Sequence, residues 1–248
     1  MARFFKALPL TLAVAVLSIV TTTCTSTGKA DVRMVNALSA AESPIAIQLN
    51  GTTVVSSLAF DAVDPAPATP AAYFGVSSGT FTLELFYAGQ TKSNPILNST
   101  TGILDGGYPY TLLFAGPADL PALYAISDDN VPPTVNTVKI RVINASQSSS
   151  GQYPGGFDVY ILPPGKSISG IPTISGLTLG QAGPGYITLN YLSSYVVWLT
   201  PHNSTQPLFN PPATYTQTNQ QITTLLIMDE AGGATVSSTM LSLVDYQP

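Results

Sequence analysis

One hexapeptide occurs twice. Val32-Arg33-Met34-Val35-Asn36-Ala37 returns 108 residues later as Ile140-Arg141-Val142-Ile143-Asn144-Ala145, with Arg, Asn and Ala identical and every other position aliphatic. Self-similarity at a long offset marks a repeated structural unit and constrains the fold more than any single motif. The parallel continues. Pro44-Ile45-Ala46-Ile47-Gln48-Leu49 aligns with Gly156-Phe157-Asp158-Val159-Tyr160-Ile161, and Thr80-Phe81-Thr82-Leu83-Glu84-Leu85 with Ser194-Tyr195-Val196-Val197-Trp198-Leu199. Tyr110-Thr111-Leu112-Leu113-Phe114 aligns with Ile222-Thr223-Thr224-Leu225-Leu226, and each copy closes on Asp, at Ile126-Ser127-Asp128 and Leu243-Val244-Asp245.

These runs are short, alternate with period two and favour β-branched and aromatic residues. Turn signals such as Asn50-Gly51, Asp105-Gly106-Gly107, Pro163-Pro164-Gly165 and Gly232-Gly233 separate them. The pattern predicts an all-β chain: two tandem antiparallel β-sandwich domains of Ig-like, Greek-key type behind an N-terminal signal peptide. Composition agrees. Of 248 residues, 45% are hydrophobic and 8% charged, the reverse of a disordered chain. A single Cys excludes a disulfide scaffold. A formal charge of −5 argues against nucleic acid as a partner.

The expected layout is a signal peptide over residues 1–23, a tether over 24–30, sandwiches over 31–129 and 137–248, and a Pro-rich linker over 130–136. Arg3 and Lys6 precede an apolar run from Leu8 to Val20, the length of a signal-peptide core and too short to span a bilayer. Cys24 follows that run and is the expected lipid attachment site, although Thr21-Thr22-Thr23 matches the usual box poorly; Gly28-Lys29-Ala30 offers ordinary cleavage instead. Removing Arg3 and Lys6 leaves 6 basic against 13 acidic side chains. The expected location is the cell envelope, as an outer-membrane lipoprotein, periplasmic or surface-exposed, with membrane contact through the lipid alone. Pro132-Pro133 stiffens the linker and should hold the two units apart. Asp61 to Pro70 is a Pro/Ala-rich loop, with Pro201 to Pro212 as its expected counterpart in the second unit.

The repeated residues resemble a bacterial family known as domain of unknown function 4397. The resemblance rests on the two hexapeptides, Phe157-Asp158-Val159-Tyr160, Ser78-Gly79-Thr80-Phe81-Thr82-Leu83, Tyr110-Thr111-Leu112-Leu113 and Ile126-Ser127-Asp128-Asp129. It implies an exported, often lipid-anchored chain with the unit in tandem. The Asp of the Asp-Val-Tyr strand is Asp158 in the second unit, whereas the first has Ala46, so no catalytic role can be common to both.

Candidate sites are few. His202 is the sole histidine; a Ser–His–Asp triad would need it, with Asp158, Asp229 or Asp245 as orienter, but no Gly-x-Ser-x-Gly elbow is present. Zinc lacks ligands. Calcium could use Asp128-Asp129-Asn130 or Asp61 and Asp64, without a calcium-loop spacing. Arg33 and Arg141 should lie on the outer sheet face, paired to a strand-end Asp such as Asp128 or Asp245, with a ligand anchor as the alternative. Tyr108, Tyr153, Tyr191, Phe209 and Tyr215 lie near turns, where rings stack on sugars or plug sandwich ends; Trp198 alternates with Val196 and Thr200 and could face either way, with the core as the expected place. Asn98, Asn144 and Asn203 sit in acceptor-like sequons that read as chance matches. The expectation is therefore a non-catalytic envelope protein without cofactor, metal or assigned ligand residue. Its partner would be an envelope or extracellular protein or glycan; a carbohydrate-binding module is the alternative and a hydrolase the remote one.

Overall fold

The computed structural model of the chain describes residues 28–39, 43–66, 72–90, 94–117 and 119–248. Cys24 and the leader lie outside them. The first half forms β1 (Lys29–Asn36), β2 (Ile45–Leu49), β3 (Thr52–Leu58), β4 (Ala62–Asp64), β5 (Phe74–Ser77), β6 (Gly79–Tyr87), β7 (Leu97–Leu104), β8 (Pro109–Ala115) and β9 (Ala122–Ser127). The second forms β10 (Thr137–Asn144), a helical turn α1 (Ser148–Gln152), β11 (Phe157–Leu162), β12 (Ile174–Leu177), β13 (Ile187–Asn190), β14 (Ser194–Pro201), β15 (Ala213–Thr216), β16 (Ile222–Asp229) and β17 (Val236–Tyr246). Among the described residues no helix is long and apolar enough to cross a membrane.

Each half is two sheets face to face. In the first, sheet β4-β1-β8-β9, with β5 also on β1, covers sheet β3-β2-β6-β7. In the second, β13-β10-β16-β17 covers β12-β11-β14-β15. The strand orders match, with β13 in the place of β5; β4, at the other end of β1, has no counterpart in the second half. Period-two alternation builds both interiors: Val32, Met34, Leu112 and Phe114 meet Ile45, Ile47, Leu83 and Leu85. Val138, Ile140, Val142 and Leu225 meet Phe157, Val159, Val197 and Leu199. Asn50 and Gly51, both at positive φ, close β2 onto β3 as a two-residue turn.

Four expectations are corrected. The sandwiches are mixed, because β1 pairs parallel with β8 and β10 with β16. In each half the chain crosses to the other sheet and returns before the partner strand forms, a connection long enough for parallel pairing. Lys29 and Ala30, expected in the tether, are the first rungs of β1, opposite Ser77 and Val76. Pro201–Pro212 joins β14 to β15 and corresponds to the β6–β7 connection, whereas Asp61–Pro70 lies between β3 and β5. Lastly, Arg33 pairs with Thr111 across β1–β8 and Arg141 with Thr224 across β10–β16, so the last sequence alignment slips by one residue. In a strand one residue is a change of face.

The two halves are not held apart. Val35, Ala37, Leu113 and Ala115 of the first pack against Ile143, Ala145, Leu226, Met228 and Leu243 of the second in a third buried cluster. Sheets β4-β1-β8-β9 and β13-β10-β16-β17 are thus covered on both faces. This is why β16 is buried at every residue and reads as a nearly continuous apolar run. The proline linker sets no separation; apolar area removed from water closes the halves onto each other.

Candidate functional site

The buried charges of the chain concentrate where the halves meet. Arg33 and Arg141 point away from their own cores, as alternation demands, yet they are only 3% and 2% exposed because the opposite half covers that face. Each guanidinium is first held by its neighbouring parallel strand. Arg33 Nε donates to Thr111 Oγ1 at 2.9 Å, and Arg141 Nε to Thr224 Oγ1 at 3.1 Å. Their outer nitrogens then cross over. Arg33 Nη2 donates to Asp245 Oδ1 of the second half, and Nη1 reaches the Val244 carbonyl at 3.5 Å. Arg141 Nη2 donates to Asp128 Oδ1 of the first half at 2.5 Å, and Nη1 to the Ser127 carbonyl at 2.8 Å. Arg33 Nη2 also lies 3.2 Å from Asp128 Oδ2.

The aspartates complete a pseudo-twofold cluster. The Thr111 hydroxyl donates to Asp128 Oδ2 at 2.7 Å and the Thr224 hydroxyl to Asp245 Oδ2 at 2.6 Å. Tyr73 and Tyr186, each just ahead of the equivalent strands β5 and β13, donate to the same aspartates at 2.9 and 2.8 Å. Their rings face the arginines, with Arg33 Cζ 5.2 Å from the Tyr73 centroid and Arg141 Cζ 4.4 Å from that of Tyr186. Burial works against the Arg33 charge, but Asp245 and then Asp128 outweigh it and hold the guanidinium above its ordinary value. Burial pushes the Tyr73 and Tyr186 hydroxyls well up, so both remain donors. Two cations and two anions neutralise one another, and all four carboxylate oxygens are occupied. The arrangement joins two bodies and leaves no group poised to attack or to bind.

The sequence candidates are distributed accordingly. Asp128 is spent in the crossed cluster, and Asp129 accepts from Lys139 Nζ at 2.5 Å. Asp61 takes a positive φ in the turn into β4, and its backbone N–H donates to the Asn36 carbonyl at 2.9 Å. Among the described residues no three His, Cys, Asp or Glu side chains gather as a metal site. Asp229 accepts from Ser146 Oγ at 2.5 Å and from the backbone N–H groups of Gln147 and Ser148, holding the chain into α1.

His202 does meet Asp158, at 2.8 Å from Nδ1 to Oδ1, with Ser175 Oγ nearby. The geometry is not a triad. Ser175 donates to Asp158 Oδ1 at 2.9 Å and approaches the same Nδ1 at 3.4 Å, so the imidazole does not stand between nucleophile and carboxylate. The backbone N–H groups of Gly176 and Asn203 also bond Asp158. Burial alone would raise this carboxyl, but the His202 hydrogen bond, followed by those of Gly176, Asn203 and Ser175, lowers it below its usual value. Asp158 staples β12 and the loop after β14 to β11.

The repeated asparagines are equally structural: Asn36 Nδ2 donates to the Leu58 carbonyl and Asn144 Nδ2 to that of Leu177, both at 2.9 Å. Asn144 is fully buried, which removes its sequon from consideration. Of the loop aromatics, Tyr108 and Tyr191 are exposed, while Tyr153, Phe209 and Tyr215 pack on the second core. Trp198 corrects its expectation. Tyr195, Val197 and Leu199 take the core face of β14, and Trp198 stands half-buried on the outer face, with Nε1 donating to the Lys166 carbonyl at 3.3 Å. Sequence reasoning missed Thr111, Thr224, Tyr73 and Tyr186. Tyr73-Phe74 and Tyr186-Ile187 carried a usable signal, since each precedes the strand that joins β1 or β10.

Fold and cluster together define an all-β protein of two sandwiches closed face to face by crossed ion pairs. The family model Domain of unknown function (DUF4397) matches residues 28–150, and this part of the chain belongs to that family. No curated protein matches the chain. Among solved structures, an alpha-glucan-binding streptococcal virulence factor is similar at 10% identity and a TM-score of 0.26, over 84% of this chain and 96% of that one. The multi-modular glycogen-degrading pneumococcal virulence factor SpuA gives the same identity and TM-score, over 84% of this chain and 21% of that one.

Proposed function

We propose that the protein is a non-catalytic cell-envelope module, exported and held by a lipid on Cys24, whose two sandwiches act as one rigid body in surface interaction or in a structural role. The second half is read as a second copy of the family domain, on the strength of its matching strand order and crossed cluster. The carrying observation is the use made of ionisable side chains: Arg33, Arg141, Asp128 and Asp245 join the halves, Asp158 and His202 staple loops, and Asp229 orders α1. A chain that spends its buried charges on rigidity suits presentation of surfaces to an envelope protein or glycan, with function on loops and outer faces.

Two measurements test this. Labelled palmitate should enter the wild-type chain and not Cys24→Ala, and membrane fractionation should follow the label. Purified protein should turn over no ester, glycoside or peptide substrate; turnover abolished by His202→Ala would overturn the non-catalytic reading.

A further inference from the structure

The two halves serve as controls for each other, and they differ on one outer face. Where β2 pairs with β6, Gln48 stands opposite Glu84. At the equivalent place on β11 and β14, Tyr160 stands opposite Trp198. Tyr160 is 3% exposed and Trp198 half-buried, so of this pair only Trp198 offers a ring from outside, and the first half shows that the fold does not require one there. A second difference lies beside the first. Between β2 and β3 the chain turns in two residues, Asn50 and Gly51, whereas between β11 and β12 it runs through residues 163–173. That longer loop folds back over the sheet, where its Lys166 carbonyl takes the Trp198 indole N–H.

The result is a hollow of about 360 Å³ with Trp198 and Val196 on the sheet, Lys166 and Ser167 on one wall, and Pro211-Pro212 on the other. A second hollow of about 550 Å³ lies across Pro211-Pro212, against Phe209. Both fall in the range of small-ligand sites, roughly 300–1,000 Å³. We infer that this groove on the second sandwich is a glycan-binding site, with a hexopyranose ring laid on Trp198 and the chain of sugars continuing past Pro211-Pro212 toward Phe209. A sugar offers a flat C–H face to an aromatic ring and a rim of hydroxyls to polar groups. Lys166, Ser167, Asn210 and Thr214 supply such groups at the rim. An extended peptide would instead pair along an open strand edge, whereas this groove lies above the sheet face. The inference deepens the interaction reading above, on which it rests, by choosing glycan over protein and placing the site.

Trp198 is the only tryptophan in the chain, so its emission reports on this groove alone. The full chain is titrated with soluble β-glucan, α-glucan, mannan and galactan, following Trp emission and retardation in affinity gels. At least one polysaccharide should shift the emission and retard the protein. Trp198→Ala should weaken retardation by about tenfold or more, the scale of a lost stacking contact with its buried area; Trp198→Tyr should keep most of it, and Glu84→Gln in the first half should change nothing. If Trp198→Ala unfolds, Lys166→Ala with the emission readout takes its place and should weaken binding. No response to any of the four polymers, or retardation that survives in folded Trp198→Ala, overturns the site but leaves a protein partner open. Release of reducing ends would instead overturn the non-catalytic reading.

Discussion

Removing the Asp128 carboxylate tests whether the crossed cluster holds the halves together. Asp128 accepts from Arg141 at 2.5 Å, Thr111 at 2.7 Å and Tyr73 at 2.9 Å, with Arg33 at 3.2 Å. Asp128→Ala leaves two arginines against one aspartate at a site where Arg141 is 2% exposed. Breaking a buried pair by removing one partner costs about 3–5 kcal/mol, much of it the uncompensated charge. For a protein of this size 1 kcal/mol moves Tm by about 2–4 °C, so Tm should fall by roughly 6–20 °C. Arg141→Met alone should also destabilise. The double variant removes one charge of each sign, and its loss should be smaller than the sum of the two single losses by a coupling of about 1–3 kcal/mol. Urea and thermal unfolding of the four proteins measure this, and calorimetry shows whether the variants unfold in two steps as the halves uncouple. A single-variant loss below about 1 kcal/mol, or strict additivity, would refute the reasoning.

Three further outcomes follow from the same contacts. Gly180 has φ +77°, and a Cβ on it would lie 1.9 Å from Tyr124 Cε1 across the junction, so Gly180→Ala should lower Tm and raise hydrogen exchange in β9 and β16; unchanged exchange would contradict the close packing. Asp158 has a lowered folded-state pKa, so its stabilisation is present above the unfolded value and disappears as pH falls through the folded one; the stability gap between wild type and Asp158→Asn should shrink on acidification below about pH 4. Tyr73 and Tyr186 have raised pKa values, so their contribution is intact below about pH 10 and is lost above it, where the unfolded chain ionises first; tyrosinate absorbance should rise together with unfolding, and Tyr73→Phe/Tyr186→Phe should weaken that dependence.

Much of the fold was legible because strand structure writes itself locally. Phe81, Leu83 and Leu85 alternate with Thr82 and Glu84, and the structure buries the first set. Asn50-Gly51 turns where its composition requires. The crossed cluster was half legible: Arg33 and Arg141 were matched to Asp128 and Asp245 as partners, but as residues of an outer face. Trp198 was misplaced because Trp suits a core, although its alternation with Val197 and Leu199 already set it on the other side. The one-residue slip at Thr111 and Thr224 arose because Thr223 and Thr224 are adjacent and identical, and only pairing to β10 tells them apart.

The chain's own order of residues therefore settled the all-β class, the repeat and the two faces of each strand, since period two depends on neighbours two places apart. What lies against a face depends on residues more than a hundred positions away. Only the folded molecule decided that Val35 and Ile143 meet in a third interior, that each arginine reaches the other half's aspartate, and that a loop of the second half walls a groove over Trp198.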